Sequence, residues 1–195
     1  DPRYDWKATV PHRQKPHVKN PVRGYVGSAN QHPTTPDYPY FLSEFYWASF
    51  RWNQIHTRLD TLQSASINDM LEIQLDNRSV FAEKTMPIIL NTWKNNIKNE
   101  LEKQIFTILS NWDYEMDGHS PAPTLYRYWY KILEELTWKD DLGMENERFI
   151  WPYRDKMMEL ILTNPKSHWF DDKTTKQIET FSHQSLKAFH KMVSD

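Results

Sequence analysis

Residues 124–136 read TLYRYWYKILEEL, and this stretch decides the fold class of the chain. Leu125, Tyr128, Trp129, Ile132 and Leu136 recur at spacings of three and four, so they fall on one face of an α-helix. The large rings in the stretch add much apolar surface to such a helix. The pattern therefore predicts a helix whose buried face is rich in aromatic side chains.

The same helical period occurs on both sides of this stretch and divides residues 41–195 into six or seven helices. The predicted helices are residues 41–62, a short helix capped by Ser66 or Ser64 that runs to Leu75, one from Val80 that kinks or restarts at Pro87, residues 97–112, residues 124–136, one introduced by Pro152 and closed by Asn164-Pro165, and one capped by Asp171 or Asp172 that runs to the C-terminus. We therefore predict a mainly α fold.

Residues 1–40 differ from the rest, because they hold seven of the twelve prolines and show no helical period. Proline at this density favours extended and turn conformations. One short strand is predicted at residues 24–29, bounded by Asn20-Pro21 and Asn30-Gln31. An extended arm cannot satisfy its own backbone polar groups. We expect it to lie against another part of a larger protein, ahead of a helical domain at residues 41–195.

The composition excludes several classes of function. Charge is nearly balanced, with 24 Lys and Arg against 26 Asp and Glu, so no nucleic-acid partner is expected. No apolar run approaches the roughly 20 residues of a membrane span, so no membrane partner is expected. The absence of cysteine excludes thiolate catalysis and zinc–thiolate sites, and it fits an oxidising compartment, although many cytosolic proteins also lack cysteine. Phosphate-binding glycine loops and the common hydrolase motifs are also missing from the sequence.

Histidines and paired acids have simple structural explanations in this chain. The eight histidines are scattered, and His12 and His17 are not at the spacing of metal ligands on a helix. Asp140-Asp141 and Asp171-Asp172 fall in loops or at helix starts, where capping accounts for them. We predict no metal site and no cofactor from these residues.

Asn30 and Arg51 are the two residues with less obvious explanations. Asn30 ends the predicted strand, where an asparagine most simply makes a turn by bonding its own backbone. Arg51 lies on the flank of an apolar helix, where an arginine usually lays its stem along the core and keeps its head in water. The alternative for each is a functional side chain, and the residues alone leave both alternatives open.

Around these two residues the sequence resembles the penicillin acylase (penicillin amidase) family of N-terminal nucleophile hydrolases. The motifs that carry the resemblance are Asp5-Trp6-Lys7 with Pro11, Asn20-Pro21 followed by Gly24-Tyr25 and Ala29-Asn30-Gln31, Asp37-Tyr38-Pro39-Tyr40, Ile73-Gln74-Leu75-Asp76, Asn111-Trp112-Asp113 with Ser120-Pro121, and Trp169-Phe170-Asp171-Asp172 with Glu179-Thr180. Any one of these motifs is weak, but six in family order are specific.

The resemblance implies that the chain is an internal fragment of the large (beta) subunit, cut from a larger αββα fold. It implies hydrolysis of a linear amide by a serine freed at the N-terminus of that subunit, with its own α-amine as base. Asn30 matches the asparagine whose side-chain amide holds the oxyanion, and Arg51 matches an arginine that orients the active site. The implied partners are the small subunit, the N-terminal part of the large subunit and a small-molecule amide, in the periplasm or outside the cell.

Some positions depart from the family pattern. The chain opens on Asp1, so the nucleophilic serine is expected upstream, and the fragment itself is expected to be inactive. Family members often bind a structural calcium ion, but residues 40–44 offer no clean aspartate match, so calcium binding by these residues is not supported. Ala8 also replaces a glycine that is usual in the family.

A different class of function is a stand-alone helical module in which the aromatic residues form a ligand-binding groove or a docking face. Buried rings at helical spacing account for most of those aromatics, which favours the amidase. The acyl pocket in the family is built largely from other segments, so the sequence leaves the acyl group and the amine unassigned.

Overall fold

In a computed structural model of the chain, residues 3, 5, 8–43, 45–143 and 151–195 are described. Trp6 and Lys7, which belong to the first of the family motifs, lie outside them. Seven α-helices occur within the described residues: α1 Phe50–Asp60, α2 Ile67–Leu75, α3 Val80–Trp93, α4 Glu100–Ser110, α5 Ala122–Leu142, α6 Arg154–Thr163 and α7 Phe181–Ser194. Short 3-10 helices cover His12–Gln14 and His168–Phe170. The mainly α fold is confirmed.

The chain divides into two compact units, Asp1–Ile73 and Gln74–Asp195. At this boundary the residues on each side contact one another more than they contact the other side. The predicted boundary between residues 40 and 41 separates an arm from a helical domain, and it stays a prediction.

The strand predicted at residues 24–29 is not formed. A strand needs a neighbour to share its ladder of hydrogen bonds, and within the described residues the one bridge joins Arg78 and Glu115. In the arm, the Gly24 N–H instead closes a turn on the Pro21 carbonyl at 2.9 Å. The prediction that residues 24–29 are not helical is confirmed, and the prediction that they form a strand is wrong.

Helix α1 begins at Phe50, nine residues later than the apolar period predicts. The Ser43 hydroxyl accepts the Phe45 N–H at 3.1 Å, and the Asn30 carbonyl accepts the Trp47 N–H at 3.1 Å. Both bonds use backbone donors that a longer helix would need for itself. Phe41, at the predicted helix start, is 75% exposed.

Two other predictions concern the start of α2 and the middle of α3. Ser66 does precede α2: its hydroxyl accepts the Asp69 N–H at 3.2 Å, and the Asp69 carboxylate accepts the Ser66 N–H at 2.7 Å. Helix α3 runs from Val80 to Trp93 without restarting at Pro87. Pro87 removes one backbone donor from the helix. The helix continues past it because residues on both sides of it, such as Met86 and Ile89, are packed in the core.

The predicted caps of the last helix are wrong. Asp171 accepts the Glu179 N–H at 3.0 Å and Asp172 accepts the Thr174 N–H at 3.1 Å, so both carboxylates brace the loop before the helix. Helix α7 begins after Thr180, whose side chain and that of His183 form a reciprocal capping box.

Helix α5 packs against α4 and α7, while α3 packs against α6 and α7. The helix predicted at residues 124–136 is confirmed and extends further at both ends, but its buried face is rotated from the predicted one. Tyr128 is 40% exposed, because the buried positions follow a neighbouring stripe that includes two tyrosines. The buried residues of α5 are Ala122, Pro123, Tyr126, Trp129, Tyr130, Ile132, Leu133, Thr137 and Trp138.

Ser185 of α7 organises the tryptophan core of the second unit. Its hydroxyl accepts the Trp93 indole N–H at 3.0 Å, and its carbonyl accepts the Trp129 indole N–H at 3.1 Å. The Trp93 ring stacks on Phe189 with 4.3 Å between centroids. All four of these side chains are fully buried, so both indole donors are satisfied inside the core.

A hydrogen bond between a buried carboxylate and an imidazole links α4 to α7. Glu102 is 3% exposed and accepts the His190 Nδ1–H at 2.8 Å and the Lys98 backbone N–H at 2.6 Å. Burial alone would raise the pKa of Glu102, but the hydrogen bonds from Lys98 and His190 outweigh it. The pKa of this carboxyl therefore lies below its ordinary value.

Replacing Ser185 with alanine should destabilise the second unit by about 1–3 kcal/mol, because the Trp93 indole N–H would be buried without an acceptor. Urea denaturation of the chain measures the loss. Ser194→Ala is the matched control, since that exposed hydroxyl bonds only the Lys191 carbonyl at 2.9 Å. Equal stability of the two variants would contradict the role given to Ser185.

Glu102→Gln tests the contact to His190 through its pH dependence. A lowered folded-state pKa means that Glu102 stabilises the fold above its unfolded pKa, and that this contribution is lost as the pH falls through the folded pKa. The Gln variant should thus be less stable near neutral pH, and the difference should shrink below about pH 4, around the unfolded pKa of Glu. Urea unfolding across pH measures this, with the exposed Glu100→Gln as control.

Candidate functional site

Asn30 lies at a sharp bend in the first unit. Its φ is 67°, in the left-handed region that asparagine tolerates better than most residues. The Gln31 side chain accepts the Ala29 N–H at 2.7 Å, and the Asn30 carbonyl accepts the Trp47 N–H at 3.1 Å. The backbone of Asn30 thus forms the turn that the sequence predicts. Its side chain does not bond its own backbone and instead contacts another residue.

That partner is Arg51, in the first turn of α1. Its Nη2 group donates to the Asn30 side-chain oxygen at 2.5 Å and to the Ala29 carbonyl at 3.2 Å. A cation in the first turn faces the positive end of the helix dipole, so helix stability does not explain this residue. The two residues singled out from the sequence, 21 positions apart, are therefore in direct contact.

The contact fixes which way the Asn30 amide points. A guanidinium has only donors, so the side-chain oxygen must face Arg51 and the NH₂ group must point to the opposite side. Asn30 is exposed at this bend. The arrangement offers the two amide hydrogens to an external acceptor, and the cation draws electron density from the amide oxygen, which strengthens the NH₂ group as a donor.

Five residues before Asn30, the Tyr25 hydroxyl is held by two side chains of α1. It donates to Asp60 Oδ1 at 2.6 Å and lies 2.8 Å from His56 Nδ1. His56 Nδ1 is also 2.8 Å from Asp60 Oδ2, so the Asp60 carboxylate serves both neighbours. Burial and the hydrogen bond to Asp60 raise the pKa of Tyr25, which keeps its hydroxyl protonated.

Between these two contacts, Gly27 lies directly on the ring of Trp52. A Cβ atom at position 27 would lie 2.7 Å from Trp52 Cζ3, so no other residue fits there without displacement. The Arg23 guanidinium is 5.1 Å from the Tyr25 ring centroid and 5.4 Å from that of Trp52. The Arg23 guanidinium thus lies over both the Tyr25 ring and the Trp52 ring.

The prediction from sequence missed all of these supporting residues. One signal was available: Trp52, His56 and Asp60 recur every four residues and therefore share one face of a helix. Their partner on the arm could not be identified from sequence, because Tyr25 has no regular spacing to them.

No group of three or more His, Asp or Glu side chains is arranged to hold a metal ion in the part of the chain that the structure describes. Glu44, in the neighbourhood considered for calcium, lies outside that part, so the assignment of no calcium ligand there stays a prediction. Cavities of about 480 and 450 Å³ open on the second unit, the first beside α5 and the second beside residues 111–122. Neither is lined by Asn30 or Arg51.

Known protein families provide an independent comparison. A family model described as penicillin amidase matches residues 1–195, the full length of the chain. Among the helices whose residues are described, none is long and apolar enough to cross a membrane.

Proposed function

The chain belongs to the penicillin amidase family of amidase-type hydrolases, and we propose that it supplies the side chain that binds the oxyanion during cleavage of a linear amide. The observation that carries the proposal is the contact of Arg51 with the Asn30 amide oxygen at 2.5 Å. This contact turns the NH₂ group of Asn30 outward as a fixed hydrogen-bond donor. A fixed donor aimed at developing negative charge is what acyl transfer requires.

The proposed step places Asn30 against the tetrahedral intermediate. When the nucleophile attacks the amide carbon, the carbonyl electrons move to oxygen, and the Nδ2–H group of Asn30 donates to that oxyanion. Arg51 holds the amide in this orientation and contributes positive charge behind it. A single donor of this kind contributes about 2.7–4 kcal/mol of transition-state stabilisation.

We propose that the attacking group is the N-terminal serine of the large subunit, carried by another segment of the same αββα hydrolase. Its α-amine would take the hydroxyl proton and pass it to the leaving amine. Asn30 and Arg51 can stabilise and orient, but neither can serve as this nucleophile. The chain would then be an internal part of the large subunit of a periplasmic or extracellular enzyme.

The burial pattern of the first unit supports a partner within the same protein. Ala29 is the one buried apolar residue among the described residues of 1–73. Helices α1 and α2 are described in full and neither has a buried residue. Large apolar side chains are correspondingly exposed in this unit: Val22, Val26, Phe41, Phe45, Trp47, Ile67, Met70 and Leu71. Surfaces of this kind are normally covered in the complete molecule, and we propose that the small subunit and the N-terminal part of the large subunit cover them.

The alternative of a stand-alone aromatic binding module receives less support. A ligand groove in the second unit would require exposed rings there, but the rings of Trp93, Trp129 and Trp138 are fully buried. They form the core of the second unit, which accounts for them without a ligand.

Asn30→Asp in the full-length protein tests the oxyanion role. The carboxylate keeps an acceptor for Arg51 but loses the Nδ2–H donor, so kcat should fall about 10²–10³-fold with KM little changed. Self-cleavage, followed by N-terminal sequencing, shows that the variant has matured. Asn20→Asp is the matched control, because Asn20 is also an arm asparagine with a positive φ, 47°. An unchanged kcat for Asn30→Asp would remove Asn30 from the mechanism.

The position of the nucleophile gives a second prediction. Purified residues 1–195 should not hydrolyse phenylacetyl or fatty-acyl amides, whereas the full-length, self-cleaved protein should hydrolyse one of them. Release of the amine product measures both. Turnover by residues 1–195 alone would contradict a nucleophile on another segment.

A further inference from the structure

We propose that Tyr25, held by Asp60 and His56 of α1, is a positioning residue that sets the place of the Asn30 amide. The inference rests on the proposed function, because it concerns the same oxyanion donor. Tyr25 does not approach Asn30 itself, so it acts through the segment that joins them.

The segment from Tyr25 to Asn30 runs antiparallel to α1. Tyr25 meets His56 and Asp60, Gly27 meets Trp52, and Asn30 meets Arg51. Ascending numbers along the segment therefore pair with descending numbers along the helix. The segment is fastened to the helix at both ends and in close contact with it in the middle.

The segment and the part of α1 that it follows are of similar length. Five extended residues span at most about 17 Å, and the nine steps along α1 from Arg51 to Asp60 rise about 13.5 Å. Contacts at both ends and at Gly27 in the middle hold the segment in one register along the helix. If the Tyr25 end is released, Asn30 keeps its contact with Arg51 but the backbone behind it can swing.

Pairing of the backbone with a neighbouring strand does not provide this anchor. The predicted strand does not form, so no ladder of backbone hydrogen bonds holds residues 24–29 in the described part of the chain. Gly24, with a φ of 78°, begins the segment at a turn. The Tyr25 hydroxyl at 2.6 Å from a carboxylate is a charge-assisted hydrogen bond, stronger than a neutral one.

The contact between Gly27 and Trp52 explains why the anchor is placed where it is. Glycine brings the backbone onto the Trp52 ring, and a side chain there would lift the segment away from the helix. Tyr25, two residues earlier, reaches His56 and Asp60, which lie one and two turns beyond Trp52 on α1. Arg23 then covers the rings of Tyr25 and Trp52.

A double-mutant cycle on the full-length enzyme tests the inference. Tyr25→Phe removes the hydroxyl and keeps the ring, and it should lower kcat about 10- to 100-fold with KM little changed, as expected for a misplaced catalytic group. In the Asn30→Asp background the same substitution should have little further effect, since the amide it positions is already absent. Asp60→Asn, which weakens the same anchor from the helix side, should behave in the same way.

Tyr38→Phe is the matched control: its hydroxyl also donates within the first unit, to the Gln14 carbonyl at 2.7 Å, and its loss should leave kcat unchanged. Equal fold-losses from Tyr25→Phe in both backgrounds would mean a general structural role and would overturn the inference. No loss from either Tyr25→Phe or Asp60→Asn would also overturn it. Failure of the proposed function is a separate result, seen when Asn30→Asp alone leaves kcat unchanged.

Discussion

The guanidinium of Arg51 is the group on which the arrangement of the first unit depends. One nitrogen of it donates to oxygens of two consecutive residues, the Ala29 carbonyl and the Asn30 side chain. An amide can normally turn over and exchange its donor and acceptor ends, but a partner with donors alone permits one orientation. The bend at Asn30 is thereby fixed both in its backbone and in its side chain, and the fixed point belongs to a helix. Sites held by helices are more rigid than sites held by loops alone.

The two units are held together in different ways. In the second, Trp93, Trp129 and Phe189 pack around Ser185, and their polar groups are satisfied within the core. In the first, polar and aromatic contacts between the arm and α1 take the place of a core, and Ala29 is its one buried apolar residue among those described. A unit of this kind has low local stability when isolated. Its order rests on a few specific contacts between the arm and α1.

Structural features that depend on neighbouring residues were predicted correctly from the sequence, and features that depend on contacts with distant residues were not. The cap of α2 needs only Ser66 and Asp69, which are three residues apart, and it forms as predicted. The start of α1 depends on the bond between Asn30 and Trp47, which no local period reveals. The predicted face of α5 includes Tyr128, which is exposed, whereas Tyr126 and Tyr130 are buried, so the observed face is rotated from the predicted one. Resemblance to the family implies roles for Asn30 and Arg51, whereas the contact between these residues, 21 positions apart, is seen only in the structure.

The apolar stripe predicted for the first helix includes Trp52, Ile55 and Leu59, but the period does not reveal what the helix contacts. In the structure Trp52 meets the arm together with two polar residues one and two turns further on, His56 and Asp60. An arm without a strand partner needs side chains to determine its register, and α1 provides them at one-turn intervals. A helix presents such groups at fixed separations of about 6 Å per turn of four residues. The position of the Asn30 amide is thus set by the spacing of side chains along α1. The arm has no regular secondary structure at this point, but its contacts with the helix give it a defined position.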